Sequence, residues 1–373
     1  MNKKEILEVR KQLTPERTAI TKICGCYVNA DKEKQLEFSK TFLALEEEEM
    51  FKYFDIFKKT LSGKLGKNLF SMEYSISDED VDTPHEMLME LYNSQLEDET
   101  LLSAFYDKVI ASYNYAENYF IVIIRDVYDI PGKASDGFEM EDASDSVYDH
   151  MICGICPVKL SKPGLSYNTN NNDIESRIRD WVVEAPLSGF LFPSFTDRQT
   201  DIHSLLYYSK MPEDLKPDFL QEVLGFVAPL TASDQKDAFD AVVSDTLLEA
   251  CDFDVVKNIH ENIMDMMEEV KDEPTPLTLT KTDVKKVLEK SGVNPEALED
   301  FEAEYDSTIG ENEALTANNI TNTGTFEIKS PDIVVKVNPA RTDLVDVREV
   351  DGRKCLVIEI NDSLFVNGID INK

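Results

Sequence analysis

Four of the six cysteines fall in two close pairs, and thiolates supplied in pairs are the usual ligands of tetrahedral zinc sites. The pairs are Cys24 with Cys26 and Cys153 with Cys156. One residue separates Cys24 from Cys26, which is fewer than the roughly two to four of zinc-binding pairs, and both pairs lie in apolar, strand-like sequence. The pattern therefore favours buried, reduced cysteines, with a metal held by the four thiols as the alternative.

A second set of candidate metal ligands lies in and near the polar turn at 196–203. Asp197, Asp201 and His203 are the side chains that could hold a hard divalent cation, and Asp149 and His150 of the neighbouring strand could add to them. Such a cluster would indicate a metal-dependent hydrolase. In the alternative the turn is structural: Asp197 caps backbone amides and Arg198 pairs with a carboxylate. The chain has only four histidines, so we predict no metal, no cofactor and no catalytic residues.

The standard nucleotide and hydrolase motifs are missing from the sequence. It contains no Gly-x-Ser-x-Gly elbow, no Walker-type loop and no Gly-x-Gly-x-x-Gly turn. Their absence lowers the odds of a serine hydrolase, a P-loop NTPase or a dinucleotide enzyme. We therefore favour a non-enzymatic protein.

Residues 151–210 combine cations with aromatic side chains, a combination that suits nucleic acid because cations contact phosphates and aromatic rings stack on bases. The cations proposed to bind nucleic acid are Lys159, Lys162, Arg177, Arg179 and Arg198. The aromatic residues among them are Tyr167, Trp181, Phe190, Phe192 and Phe195. In the alternative, which the sequence alone favours, the aromatics belong to the core and the cations balance nearby carboxylates.

The charge of the chain argues against most of its surface binding a polyanion. The sequence has 73 acidic and 38 basic residues and a net charge of −35, which disfavours a general phosphate-coating protein and an anionic membrane surface. The acidity is concentrated: residues 68–150 and 211–310 each carry −17, residues 151–210 are neutral and residues 1–67 carry +3. We interpret the acidic blocks as solvated surface. The alternative is a DNA-mimic surface for a basic partner, with the run 78–82 at its centre.

Apolar periodicity predicts the elements that must position these groups. Helices are predicted over 3–13, 46–61, 97–113, 213–225, 233–250 and 254–271. Strands are predicted over 19–28, 34–43, 69–76, 119–127, 147–160, 178–183, 189–195 and 202–208, and the acidic stretch 131–145 is predicted to be a surface loop. Asp351 and Gly352 indicate a type I′ hairpin turn.

These elements predict an α+β fold built on a mostly antiparallel sheet. We expect three domains: an α+β sheet domain over 1–210, a helical domain over 211–310 and a small β-rich unit over 311–373. The apolar runs are too short to span a bilayer, and the N-terminus lacks a secretory h-region. We therefore predict a cytoplasmic protein with no membrane partner.

Several local sequences resemble an uncharacterised bacterial family known only as a domain of unknown function. The matching segments are 2–6, 23–28, 155–164, 189–193 with 197–198, and 335–339. The likeness covers essentially the whole chain and implies no activity.

A more distant likeness concerns the order of elements, which is similar to that of the bacterial nucleoid-associated protein family. An α+β half is followed by a helical middle, a short helix pair and a small β-rich tail. This resemblance implies binding to DNA or to nucleoid proteins, and assigns no functional residue. Taken with the cations of 151–210, it leads us to expect a DNA-linked binding protein. Because two-fold pairs are the commonest oligomers, we also expect a homodimer.

Overall fold

The computed structural model describes residues 1–74, 83–133, 139–248, 251–361 and 363–371. The acidic run 78–82 lies outside these ranges, and so do the side chains of 139–145. The chain divides into two compact units, residues 1–231 and residues 232–373. The division into three domains at 210 and 310 stays a prediction.

The first unit holds the large sheet and the helices that cover it. Its helices are α1 (Lys3–Gln12), α2 (Glu47–Thr60), α3 (Pro84–Asn93), α4 (Glu99–Ser112) and α5 (Pro217–Phe219), which continues into a π-helical turn over Leu220–Leu224. Its first strands are β1 (Lys22–Val28), β2 (Lys34–Thr41), β3 (Leu69–Glu73), β4 (Tyr119–Lys133), β5 (Glu139–Leu160) and β6 (Leu165–Asn168). The others are β7 (Asp173–Ser176), β8 (Trp181–Val183), β9 (Ser188–Phe192), β10 (Ser194–Thr196), β11 (Gln199–Asp201) and β12 (Ser204–Ser209).

The main sheet runs in the order β2-β1-β4-β5-β9-β12-β3, with β8 paired to β5. The named strands that the structure describes pair in antiparallel fashion. Helices α1 and α2 pack on one face, whose core includes Val122 and Ile124. Helices α3, α4 and α5 pack on the other face, whose core includes Ile121 and Ile123. Because successive side chains of a strand point to opposite faces, a central strand covered on both sides is apolar throughout. The predicted α+β fold is confirmed.

The helices begin at side chains that satisfy their free backbone amides. Asn2 accepts hydrogen bonds from the amides of Lys4 and Glu5, and the Glu5 carboxylate accepts one from the amide of Asn2. This reciprocal capping box fixes the start of α1. At the starts of α3 and α4, the side-chain oxygens of Thr83 and Asp98 accept hydrogen bonds from first-turn amides.

The predicted loop over 131–145 is wrong at both ends, because β4 continues to Lys133 and β5 begins at Glu139. The extension is explained by continued pairing and burial: Pro131 opposes Ser144 and Lys133 opposes Glu139 after two register shifts, and Gly132 between them is buried. A strand with one buried face needs apolar residues only at alternate positions, so a polar composition did not exclude it.

In the described chain, the second unit combines five α-helices and two 3-10 helices (Pro295–Leu298 and Pro339–Leu344) with short antiparallel strand pairs. The α-helices are α6 (Ala232–Leu247), α7 (Phe253–Glu269), α8 (Lys281–Lys290), α9 (Phe301–Thr308) and α10 (Ala317–Ile320). The strands are β13 (Thr278–Leu279), β14 (Leu315–Thr316), β15 (Phe326–Lys329), β16 (Val334–Val337), β17 (Val345–Val350), β18 (Arg353–Ile358), β19 (Phe365–Val366) and β20 (Ile369–Asp370). Asp351 and Gly352 join β17 to β18 with φ angles of 52° and 74°, as a type I′ turn requires. Within the described ranges, no helix has both the length and the apolar character needed to cross a membrane.

Candidate functional site

The four paired cysteines lie on two different faces of the main sheet. Cys24, Cys26 and Cys153 are buried in the core under α3 and α4, whereas Cys156 is buried in the core under α1 and α2. Burial raises the pKa of the Cys26 thiol to about 12 and also raises the pKa values of the other three. Thiols on opposite sides of a sheet cannot meet at one tetrahedral ion, and burial keeps them protonated.

The turn at 196–203 is held by hydrogen bonds to α1 and within itself, and it does not gather metal ligands among the described residues. The backbone amide of Asp197 donates to Glu5 Oε1 at 2.8 Å, and the Asp201 carboxylate accepts from the amide of His203 at 3.0 Å. The ring of His203 lies beside His85, 6.2 Å between centroids. Among the residues described, no three His, Cys, Asp or Glu side chains are placed to hold one metal ion. The structural alternative is right for Arg198, which pairs with Glu8, whereas the amide that is capped in this turn is bound by Asp201 and, among the described residues, not by Asp197.

Asp149 and His150 are adjacent in β5, so their side chains point to opposite faces of the sheet. Asp149 forms an ion pair with Arg125, whose Nε lies 3.1 Å from Asp149 Oδ2. His150 is buried against the ring of Tyr148, with 4.3 Å between ring centroids. The two side chains therefore cannot both join Asp197, Asp201 and His203 at one metal, an addition that the hydrolase hypothesis allowed.

The five cations predicted to bind nucleic acid have different surroundings. Arg198 is only 23% exposed; it forms an ion pair with Glu8 and donates to the carbonyl of Pro131. Lys159 lies between the carboxylates of Glu117 and Glu184, at 3.9 and 3.7 Å. Arg198 therefore fastens α1 to the β10–β11 hairpin, and Lys159 is balanced by two acids.

The remaining three cations lie on the exposed segment that joins β5 to β8. Arg179 donates from Nε to the carbonyl of Ser161 at 2.6 Å. Lys162 and Arg177 are exposed and form no ion pair within the described chain. Of the five predicted cations, these two are best placed to contact a ligand.

The aromatic residues of 151–210 divide into two groups. Phe190, Phe192 and Phe195 are fully buried, as the core alternative predicts. Tyr167 and Trp181 are each 57% exposed. The exposure of Trp181 sets it apart from an ordinary core residue. It is also the single tryptophan of the chain.

Tyr167 and Trp181 belong to an antiparallel ribbon over 158–183 that extends from the main sheet. Val158 pairs with Val183 and Leu160 with Trp181; further along the ribbon, Tyr167 pairs with Ile174. Backbone hydrogen bonds from Ser161 to Asp180 and from Arg177 to Gly164 connect the two sets of pairs. One continuous ribbon therefore carries both aromatic rings.

The ribbon exposes large apolar side chains that its composition would normally place in a core. They are Leu165, Tyr167, Ile174, Ile178, Trp181, Val182 and Val183, and we refer to these seven residues as the ribbon surface. Leu165 is 76% exposed and Ile178 is 81% exposed. Sequence reasoning missed the aliphatic members. The available signal was the asparagine-rich turn 168–172 between two short alternating segments, which is typical of a hairpin that projects from its domain.

The fold and this surface define an α+β protein with an exposed apolar ribbon and no assembled metal cluster among the described side chains. The chain belongs to the family described as a domain of unknown function, DUF4317, whose sequence model matches residues 1–369. The predicted resemblance to such a family is therefore confirmed. No curated protein matches the chain. The comparisons give no support to the distant likeness to nucleoid-associated proteins.

Proposed function

We propose that this protein acts by binding, without catalysis, and that the ribbon surface is where it meets a protein partner. The observation that carries the proposal is the exposure of seven large apolar side chains within nineteen residues of chain, Leu165 to Val183. Exposed apolar side chains that are grouped together mark interaction sites more often than isolated ones do. Five of the seven are aliphatic, which suits a protein surface better than a nucleic acid.

The edge of the ribbon adds a second means of binding. Strand β8 pairs with β5 on one side, and no other described strand pairs with β8. The free edge of a strand presents unpaired amide and carbonyl groups, to which an added strand can hydrogen-bond. Contacts with the exposed apolar side chains and backbone pairing would then act together.

The partner that fits this surface first is a second copy of the chain. Two copies with a net charge of −35 each repel one another over most of their surface. Residues 159–184 carry four cations and four carboxylates and are therefore neutral. Copies that approach through their ribbons meet apolar and charge-balanced surface, which supports the predicted homodimer.

Trp181 provides a direct test because it is the single tryptophan and lies on the ribbon surface. On association we expect its emission to shift to the blue as protein concentration rises, together with a doubling of mass in sedimentation. Ile178→Asp should abolish both changes, whereas Leu36→Asp, at an exposed position of β2, should abolish neither. A monomer at roughly 100 µM with unchanged Trp181 emission would contradict the homodimer.

Nucleic-acid binding is the second candidate function, favoured by the two exposed rings beside Lys162 and Arg177. Single strands bind to such surfaces by stacking bases on aromatic rings, with cations holding the backbone. A single-stranded oligonucleotide of about 20 nucleotides should then quench Trp181 emission, more strongly at low salt. Lys162→Ala plus Arg177→Ala should weaken the quenching, while Lys64→Ala plus Lys67→Ala should leave it unchanged. Absence of quenching at low salt would exclude this candidate.

A DNA-mimic role for the acidic run 78–82 is a further proposal that rests on the sequence alone, because these residues lie outside the described chain. A cytoplasmic location is supported by the cysteines, which are free, with the four paired ones buried.

A further inference from the structure

A groove of about 760 Å³ lies on the first unit, between α1, the chain that follows it and the end of α2. Four cations line it: Arg10, Lys11, Arg17 and Lys58. Glu16 is the one acidic residue of the lining, so the groove carries a net charge of +3. The groove is separate from the ribbon surface in sequence and shares no residue with it.

The helical spacing of α1 explains how the groove forms. Ile6, Val9 and Leu13 are buried against the sheet. Leu7, Arg10 and Lys11, which are spaced three and four apart on the other side of the helix, line the groove, and so does Thr14 just after the helix end. Side chains with this spacing share one helix face. Lys58 comes from the last turn of α2, where its Nζ lies 5.8 Å from the ring of Phe54.

Ordinary helix electrostatics account for only part of this arrangement. Cations are stabilised near helix C-termini, and Arg10, Lys11 and Lys58 occupy last turns. That effect acts at each helix end separately and does not require the cations to line one groove. Arg17 lies outside both helices and still lines it. None of the four cations forms an ion pair within the described part of the chain, although the sequence has nearly two acids for each base.

We propose that the groove binds a small ligand that carries several phosphate groups, such as an inorganic or nucleoside polyphosphate. Guanidinium groups bind phosphate oxygens in pairs of parallel hydrogen bonds, and two arginines with two lysines suit adjacent phosphates. The volume falls within the range of small-molecule sites. Leu7, which is exposed at the groove, offers apolar contact to a nonpolar part of the ligand, and Thr14 offers a hydroxyl.

Calorimetric titration of the full chain with inorganic tripolyphosphate, without divalent metal and at low salt, tests this site. We expect saturable binding that weakens as salt increases. Arg10→Glu plus Arg17→Glu should lower the affinity at least about tenfold. Lys64→Glu plus Lys67→Glu changes the net charge by the same amount at exposed positions outside the groove lining and should leave the affinity within about twofold. Circular dichroism establishes that each variant is folded.

Three results would overturn the proposal. The first is no saturable heat up to about 1 mM tripolyphosphate. The second is equal weakening by the two double variants, which would show a general response to net charge. The third is displacement of tripolyphosphate by poly-glutamate at equal charge concentration, which would make the groove a site for acidic peptides. Since the groove lining shares no residue with the ribbon surface, failure here leaves the proposed ribbon function untouched.

Discussion

Asp126 and His150 oppose each other across β4 and β5, the two central strands of the main sheet, and both side chains are buried. Asp126 Oδ1 accepts hydrogen bonds from the amides of Ala19 and Val127, at 2.9 and 3.0 Å. Asp126 Oδ2 and both ring nitrogens of His150 have no hydrogen-bond partner among the described residues. Burial raises the pKa of Asp126 to about 6 and lowers the pKa of His150 to about 3. The core therefore favours the neutral form of each group.

Replacing Asp126 with Asn should change how stability depends on pH. The pKa of Asp126 is 3.8 in the unfolded chain and about 6 when folded. The stability that this shift contributes is fully present at low pH and is lost as the pH rises through 6. Relative to D126N, the wild type should lose up to about 3 kcal/mol between pH 4 and pH 7 or so. Urea unfolding at a series of pH values measures the difference. If the unfolding free energies of the wild type and D126N changed in parallel with pH, the raised pKa of Asp126 would be contradicted.

His150 should produce the opposite pH dependence. Its pKa falls from 6.5 to about 3 on folding, so its contribution to stability is present above pH 6.5 and is lost as the pH falls toward 3. Relative to His150→Gln, the wild type should lose up to roughly 4 kcal/mol over that interval. The same unfolding series tests this prediction. If the unfolding free energy of the wild type rose relative to that of H150Q as the pH falls, the ring would be protonated in the folded protein.

Sequence reasoning predicted the elements whose signals are local. Apolar spacing predicted a helix over 3–13, which agrees with α1 at Lys3–Gln12, and Asp351 with Gly352 predicted the β17–β18 turn. The apolar run of β4 indicated a strand covered on both faces. Each of these depends on residues within a few positions of one another, where capping, turn geometry and burial dominate.

Features that depend on strand register could not be predicted in this way. The placement of Asp126 opposite His150 depends on how β4 pairs with β5, which neither strand encodes alone. The surroundings of the five predicted cations also depend on distant residues, since Arg198 reaches Glu8 across the chain. The exposure of Trp181 follows from its place on a ribbon that leaves the sheet, whereas composition alone favoured burial.

Gly189 should be among the most sensitive positions of the core. It pairs with Gly154 across β9 and β5, and the end of α2 packs directly over the two glycines. A Cβ at position 189 would lie 2.4 Å from the carbonyl oxygen of Cys153 and 2.7 Å from Thr60 Cγ2. Because a backbone oxygen cannot move aside cheaply, Gly189→Ala should destabilise the first unit by about 3 kcal/mol. Gly164→Ala, at an open position of the ribbon, is the control. Equal unfolding midpoints for the two variants would contradict the close approach.

Arg198→Ala should lower stability, because Arg198 acts within the fold and not at a ligand surface. Its guanidinium holds Glu8, which also accepts a hydrogen bond from the Tyr128 hydroxyl at 2.8 Å. Removing it leaves a partly buried carboxylate with one fewer donor, at a cost of about 1–2 kcal/mol after allowance for solvent screening. Arg177→Ala, on the exposed ribbon, should change the unfolding free energy by less than about 0.5 kcal/mol. If R198A were as stable as R177A, the Glu8 ion pair would not fasten α1 to the β10–β11 hairpin, and Arg198 would return to the set of cations available to nucleic acid.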